Sequence, residues 1–184
     1  MRFMYDLLPW EQTFIGSSLG LLVSLITSVL ALARRGRIGV LHGVALTVFA
    51  IGAALPWLTV PRFGARLQRS SQTNIAETSE NADWPELMPR LYQLWPETVA
   101  GHVAATLYTL GWTIVREDGQ TVYAEVPIMG GILYDDFRIT LTADQAETIV
   151  NARSNARVGR GDFGANRRHV VQFFVVLDQQ IGQR

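Results

Sequence analysis

The residues best suited to chemistry lie in the run Ser154 to His169, SNARVGRGDFGANRRH, where glycines recur between charged side chains. Arg157, Arg160 and Arg167, together with the peptide N–H groups at the start of a following helix, would form an anion site, because guanidinium forks and helix N-termini both favour phosphate or carboxylate. Asp162 is placed to cap that helix, with Asn166 one step into it. The competing reading is structural: Arg157 and Arg167 pair with Asp135, Asp136 and Asp162 and hold the loop together. Paired charge at a tight turn is commoner than a ligand site, so the structural reading is preferred.

Catalysis is not expected. The chain has no cysteine, which removes thiolate chemistry, disulfides and Cys-ligated metals. His42, His102 and His169 are its three histidines, and no His-x-x-x-His pair, Gly-x-Ser-x-Gly elbow or phosphate loop accompanies them. Asp135 and Asp136 are neighbours in an expected strand, so they point to opposite faces and do not converge on one atom. No metal site is expected. A formal net charge of zero provides no field to attract nucleic acid.

Hydrophobic residues make up 48% of the chain and charged residues 17%, and the apolar excess lies almost entirely before Val60. Gln12 to Ala33 carries no formal charge, and Ile38 to Val60 none apart from the titratable His42; each is about the 20 residues needed to span a bilayer as a helix. Trp10 and Trp57 stand at the expected interfaces, and Pro56 and Pro61 are expected to end the second helix. A cleaved signal peptide is disfavoured because the first apolar run is too long and its leading segment carries Asp6 and Glu11 against Arg2. Arg34, Arg35 and Arg37 form the denser basic cluster, so the turn is assigned to the cytoplasm and both termini to the periplasmic or lumenal side.

Gly16, Gly20, Ser24 and Ser28 recur every four residues on the first helix, and Gly39 and Gly43 begin the second. Small residues allow close backbone approach where no hydrophobic effect drives helix pairing, so these faces are expected to pack the hairpin or to dock on a larger assembly. His42 is the one ionisable group within a span; it could ligate a haem iron or a chlorin magnesium, but its place beside the arginine turn favours headgroups or water. No cofactor is expected.

The fold class expected is α+β: a transmembrane helical hairpin at 1–60, a polar tether at 61–83, and a two-layer extramembrane domain at 84–184. The domain should hold a helix after Pro96 stopped by Gly111, and about four antiparallel strands near Trp112–Arg116, Thr121–Val126, Asp136–Leu141 and Glu147–Arg153. A turn is expected at Thr142–Asp144. A last helix should run from about Gly164 to Gln180, burying Val170, Phe173, Phe174, Leu177 and Ile181.

The run Arg157 to Arg168, RVGRGDFGANRR, resembles the hallmark of an uncharacterised bacterial and plastid family, DUF1499. Tyr134-Asp135-Asp136 resembles that family's entry to its third strand. Asn74-Ile75-Ala76-Glu77-Thr78 ahead of Trp84-Pro85 resembles its entry segment. His169 replaces a usual basic residue, and the cysteine common in the entry segment is missing. The resemblance implies the fold and a membrane setting in bacteria or plastids, and names no substrate. The function expected is a non-catalytic accessory subunit of a larger membrane complex, photosynthetic or respiratory, with the lipid bilayer and other integral membrane subunits as partners. The alternative is a membrane-anchored module binding an anion or lipid headgroup through the arginine and glycine loop.

Overall fold

The computed structural model describes residues 10–35, 39–60 and 63–182, and the chain divides into two compact units, 1–69 and 70–184.

The first unit contains the helical hairpin. Helix α1 runs Trp10–Arg35 and α2 Val40–Thr59. Both are long and apolar enough to cross a membrane, with mean hydropathies of 2.1 and 1.7 over Thr13–Arg34 and Val40–Thr59. Pro56 does not end α2: the helix continues to Thr59, and Val60 N–H donates to the Pro56 carbonyl at 2.9 Å. A proline removes a single amide donor, a loss that helices of this kind absorb without breaking. Pro61 lies outside the described residues.

The small residues divide by position. A Cβ on Gly20 would fall 2.5 Å from the Phe49 ring, and one on Gly52 would meet the Ser17 hydroxyl, so these two glycines set the closest approach of the helices. Ser24 and Ser28 are buried beside them, with Ser28 Oγ donating to the Ser24 carbonyl at 2.7 Å. Gly16 and Gly43 have open space where a side chain would stand, and Gly39 meets only the ring of His42, a half-buried residue one turn into the helix. The outer faces stay bare: Leu41 is 83% and Leu58 84% exposed.

The stretch expected to be a tether carries regular structure. Helix α3 spans Phe63–Gln72 and strand β1 Ile75–Glu77. Short β1 pairs with the far strand of the sheet, a non-local partner that local periodicity cannot reveal.

The second unit is a two-layer α+β domain. After β1 come a 3₁₀ turn at Pro85–Leu87, β2 at Arg90–Tyr92, and helix α4 at Pro96–Leu110. Pro96 occupies the first turn and Gly111 stops the helix at φ 70°, a left-handed conformation that glycine adopts without penalty. The meander follows: β3 Thr113–Asp118, β4 Thr121–Ile128, β5 Leu133–Asp144 and β6 Glu147–Ala156. Helix α5, Ala165–Ile181, closes the fold. The β5–β6 turn lies at Gln145–Ala146, because Thr142 to Asp144 remain paired with Glu147 to Ile149.

The sheet has six strands rather than about four, ordered β1-β6-β5-β4-β3, with β2 also on β6. The additional two are three residues each and lie end to end along β6, β2 opposite 148–150 and β1 opposite 153–155. Val122, Ala124, Val126, Phe137, Ile139, Leu141, Val150 and Ala152 form the sheet side of the core, and Val99, Val103, Leu107, Val170, Phe173, Phe174 and Leu177 of α4 and α5 form the other. Both helices therefore lie on one face.

Candidate functional site

The polar residues of the hallmark gather at the corner where β6 gives way to α5. Alternation along β6 directs Ser154 and Ala156 to the covered face and Arg153 and Asn155 to the open one. The same alternation on β5 buries Asp135 and leaves Asp136 exposed, as strand geometry requires. The chain then turns through Gly159 and Gly164, both at positive φ, and enters α5.

Asp162 stands just ahead of α5, two residues before its N-cap Gly164. Its Oδ1 accepts from Gly164 N–H at 2.8 Å and its Oδ2 from Asn166 N–H at 2.9 Å, so a carboxylate satisfies two amides that a helix start leaves without partners. Asn166, fully buried, donates through Nδ2 to the Asn74 carbonyl at 2.7 Å and to Asp162, and accepts through Oδ1 from the Ser154 hydroxyl at 2.6 Å. That orientation of the amide is fixed, because the flipped form would set oxygen against both the Asn74 carbonyl and the Asp162 carboxylate. Asp162 N–H donates to the Thr73 carbonyl and Asn74 Nδ2 to the Gly159 carbonyl. Gly161 lies against the Ser71 backbone so closely that a Cβ would overlap it. The hallmark is thus a clasp on residues 71–74.

Behind the clasp stand Ser154, His169 and Asp135. His169 Nδ1 is 3.2 Å from Ser154 Oγ and 3.7 Å from Asp135 Oδ2. The Ser154 proton is already committed to Asn166, so Nδ1 must carry the hydrogen and donate to Ser154 Oγ. Serine and aspartate therefore face the same ring nitrogen, whereas a proton relay needs them on opposite nitrogens. Ser154 is also sealed from solvent, and the ring packs edge-on against Trp112 at 5.8 Å. Burial, reinforced by the Arg168 charge, pushes the imidazole pKa down to about 4. Burial, reinforced by the Asp162 charge, pushes the Asp135 carboxyl up. Both groups are driven toward their neutral forms, so the 3.7 Å approach is a polar contact and not an ion pair.

The arginines face outward. Arg157 bridges Asp136 Oδ1, at 2.9 Å through Nε and 2.6 Å through a terminal nitrogen, and Glu125 at 2.6 Å; hydrogen bonds to those acids hold its guanidinium firmly protonated. Arg167 does not pair with Asp135, Asp136 or Asp162. It bonds Glu86 at 2.6 Å and lies 4.5 Å from the Trp84 ring centre, because α5 turns that position toward the Pro85 segment. Arg160 is exposed on the loop. The hallmark therefore serves three places: the buried clasp, the Arg157 bridge on the open face and the Arg167 pin on the entry segment.

The family model described as Protein of unknown function (DUF1499) matches residues 67–177, more than half of the chain. The chain belongs to the DUF1499 family. No curated protein matches it. Within the DUF1499 region, sequence reasoning found Asp135, Asp136, Arg157, Asp162 and Asn166 but passed over Ser154 and Asn74 as clasp members, and Glu77, Glu86, Arg138 and Arg153 as charge partners. The alternation in β6 carried a signal for Ser154: read every second residue, Thr148, Val150, Ala152, Ser154 and Ala156 form a small, mostly apolar row that marks the core face. Nothing local marked Asn74, whose partners lie 85 and 92 residues away.

Proposed function

We propose that this DUF1499 protein is a non-catalytic accessory subunit of a larger membrane complex, anchored as a multi-pass protein by the α1–α2 hairpin, with its α+β domain on the periplasmic or lumenal side. The observation that carries this reading is the hairpin itself: two long apolar helices touch through Gly20 and Gly52 while almost all their large side chains remain uncovered. Such surface requires lipid or other membrane helices, and Gly16 and Gly43, unused between α1 and α2, leave room for close approach by another helix. The buried polar cluster of the domain supports a structural role, since its donors and acceptors are consumed in holding residues 71–74. The anion reading of the loop has lost donors to the same contacts, because Asp162 occupies the α5 amides and acids hold Arg157 and Arg167.

An energy-transducing complex, photosynthetic or respiratory, is the host we propose, on the bacterial and plastid setting of the family. Mild-detergent solubilisation followed by a native gel and mass spectrometry tests the reading. Co-migration with other integral membrane subunits is expected. Migration as a monomer, under conditions that keep membrane complexes whole, overturns it. His42→Leu should leave the absorption spectrum of that complex unchanged, and a shifted spectrum would assign the imidazole to a pigment or haem.

A further inference from the structure

The open face of the sheet carries a row of charge that the clasp does not use. Strand register aligns Arg116 with Tyr123, Tyr123 with Arg138, Arg138 with Arg153, and Arg153 with Glu77, a single rung across β3, β4, β5, β6 and β1. Three guanidiniums thus stand in one line against one carboxylate. Arg138 and Arg153 are directly opposite each other, an arrangement that like charges disfavour. Glu77 relieves it by taking one nitrogen from each, at 3.2 and 2.9 Å, and among the described residues the rest of both forks has no other partner. Arg116 makes no ion pair among the described residues and lies 4.1 Å from the centre of the Tyr123 ring.

The rung borders a concavity of about 470 Å³, lined by Arg116, Tyr123, Arg138 and Arg153 with Asn155 and Asp136 at its far side. It is an open depression on the sheet face, so the charge of its lining, and not enclosure, is what would hold a ligand. The Tyr123 hydroxyl and the Asn155 side-chain amide have no hydrogen-bond partners among the described residues, and Asp136 shares the Arg157 guanidinium with Glu125. The groove therefore combines surplus positive charge from three strands with two unclaimed neutral groups.

We propose that this groove binds a phosphate monoester. A carboxylate presents two oxygens and is satisfied by one guanidinium fork, whereas a monoester presents three oxygens and close to two negative charges, which suits a row of guanidiniums along one rung. The ester portion then meets Tyr123 and Asn155. Glu77 is the internal competitor, holding Arg138 and Arg153 together until phosphate takes their free donors. The site is separate from the loop around Arg160 and stands independently of the subunit reading.

The full chain in phosphatidylcholine nanodiscs is titrated calorimetrically with inorganic phosphate and with glycerol 3-phosphate, at constant ionic strength because exposed charges are screened by salt. Saturable binding is expected, weakened about tenfold or more by Arg116→Ala and by Arg138→Ala. Glu77→Gln tightens it by releasing both forks, and Arg160→Ala leaves it unchanged. Far-ultraviolet circular dichroism of each exposed-residue variant verifies folding. Repeating the glycerol 3-phosphate titration in discs containing phosphatidic acid identifies the source. A lipid ligand raises the half-saturation concentration in the wild type and not in Arg116→Ala, and a soluble ligand leaves it unaltered. Absence of saturation in the wild type overturns the proposal, and so does an equal loss in Arg160→Ala, which would mark unspecific charge attraction.

Discussion

The two faces of the sheet are built from alternate residues of the same strands, yet they treat polar groups in opposite ways. On β6 the covered side presents Thr148 and Ser154 among Val150, Ala152 and Ala156, and the open side presents Glu147, Asn151, Arg153 and Asn155. Each covered polar group is held by hydrogen bonds: Thr148 donates to the Leu94 carbonyl at 2.7 Å and Ser154 to Asn166 at 2.6 Å. Open-face charges pair in water, where water can replace a lost partner. A buried donor left alone pays its whole desolvation cost, whereas an exposed ion pair contributes little net stability. Polar chemistry on the covered face therefore holds the fold together, and on the open face it remains available to a ligand.

Asn166→Ala should show the largest difference between the faces. It removes the bonds to Asn74, Asp162 and Ser154 together and leaves the Ser154 hydroxyl buried and the Asn74 and Asp162 groups half-buried, at a cost of about 3 kcal/mol. Urea unfolding of the full chain in detergent, followed by tryptophan fluorescence, measures it. A loss no greater than that of an open-face variant would erase the distinction.

Acid should act on the same cluster with slightly smaller effect. The unfolded histidine titrates near 6.5 and folded His169 near 4, so the unfolded chain binds the proton first. This contribution is complete above pH 6.5 and is lost as the pH falls toward 4, an effect of order 3 kcal/mol before compensation. Asp135 opposes it: its folded carboxyl is raised, so the folded state takes up a proton first and gains stability as the pH falls toward 3.8. The net result is declining stability between pH 6.5 and 4, and His169→Gln should flatten that slope. Equal slopes for wild type and variant would remove His169 from the account.

The parts of this fold legible in the sequence were those that local pattern determines. Pro96 and Gly111 bounded α4, alternation located β3 to β6, and the apolar stripe Val170, Phe173, Phe174 and Leu177 fixed the inner face of α5. Strands β1 and β2 were illegible because three residues carry no usable period, and only pairing with β6 makes them strands. Helix α3 was missed because polar, serine-rich residues such as Ser70, Ser71 and Gln72 resemble a linker. Within the site, Asp162 could be read as a cap from its place before the helix. The partner of Arg167 could not, since Glu86 lies 81 residues away and acids nearer in sequence gave a more obvious pairing.

Asp162→Ala should fall next in size. The cap and one bond to Asn166 are lost, but Asn166 keeps Asn74 and Ser154, so the cost is about 1–2 kcal/mol. Hydrogen exchange gives the sharper measure: the Gly164 and Asn166 amides should exchange faster while those in the middle of α5 hold. Uniform acceleration along α5 would mean that Asp162 supports the whole helix and not its first turn.

Arg157→Ala should be the mildest change, although this arginine opens the most distinctive run in the sequence. Its partners Asp136 and Glu125 are open to water, which replaces the lost guanidinium, so the unfolding midpoint should move less than in any variant above. A trace remains in the salt dependence. Glu125 and Asp136 are direct cross-strand neighbours, and without Arg157 two like charges face each other. The variant should therefore be weakest at low ionic strength and recover toward the wild type near 1 M salt, where the screening length falls to about 3 Å. A collapse comparable to that of Asn166→Ala, insensitive to salt, would show that the open face carries the fold as the covered face does.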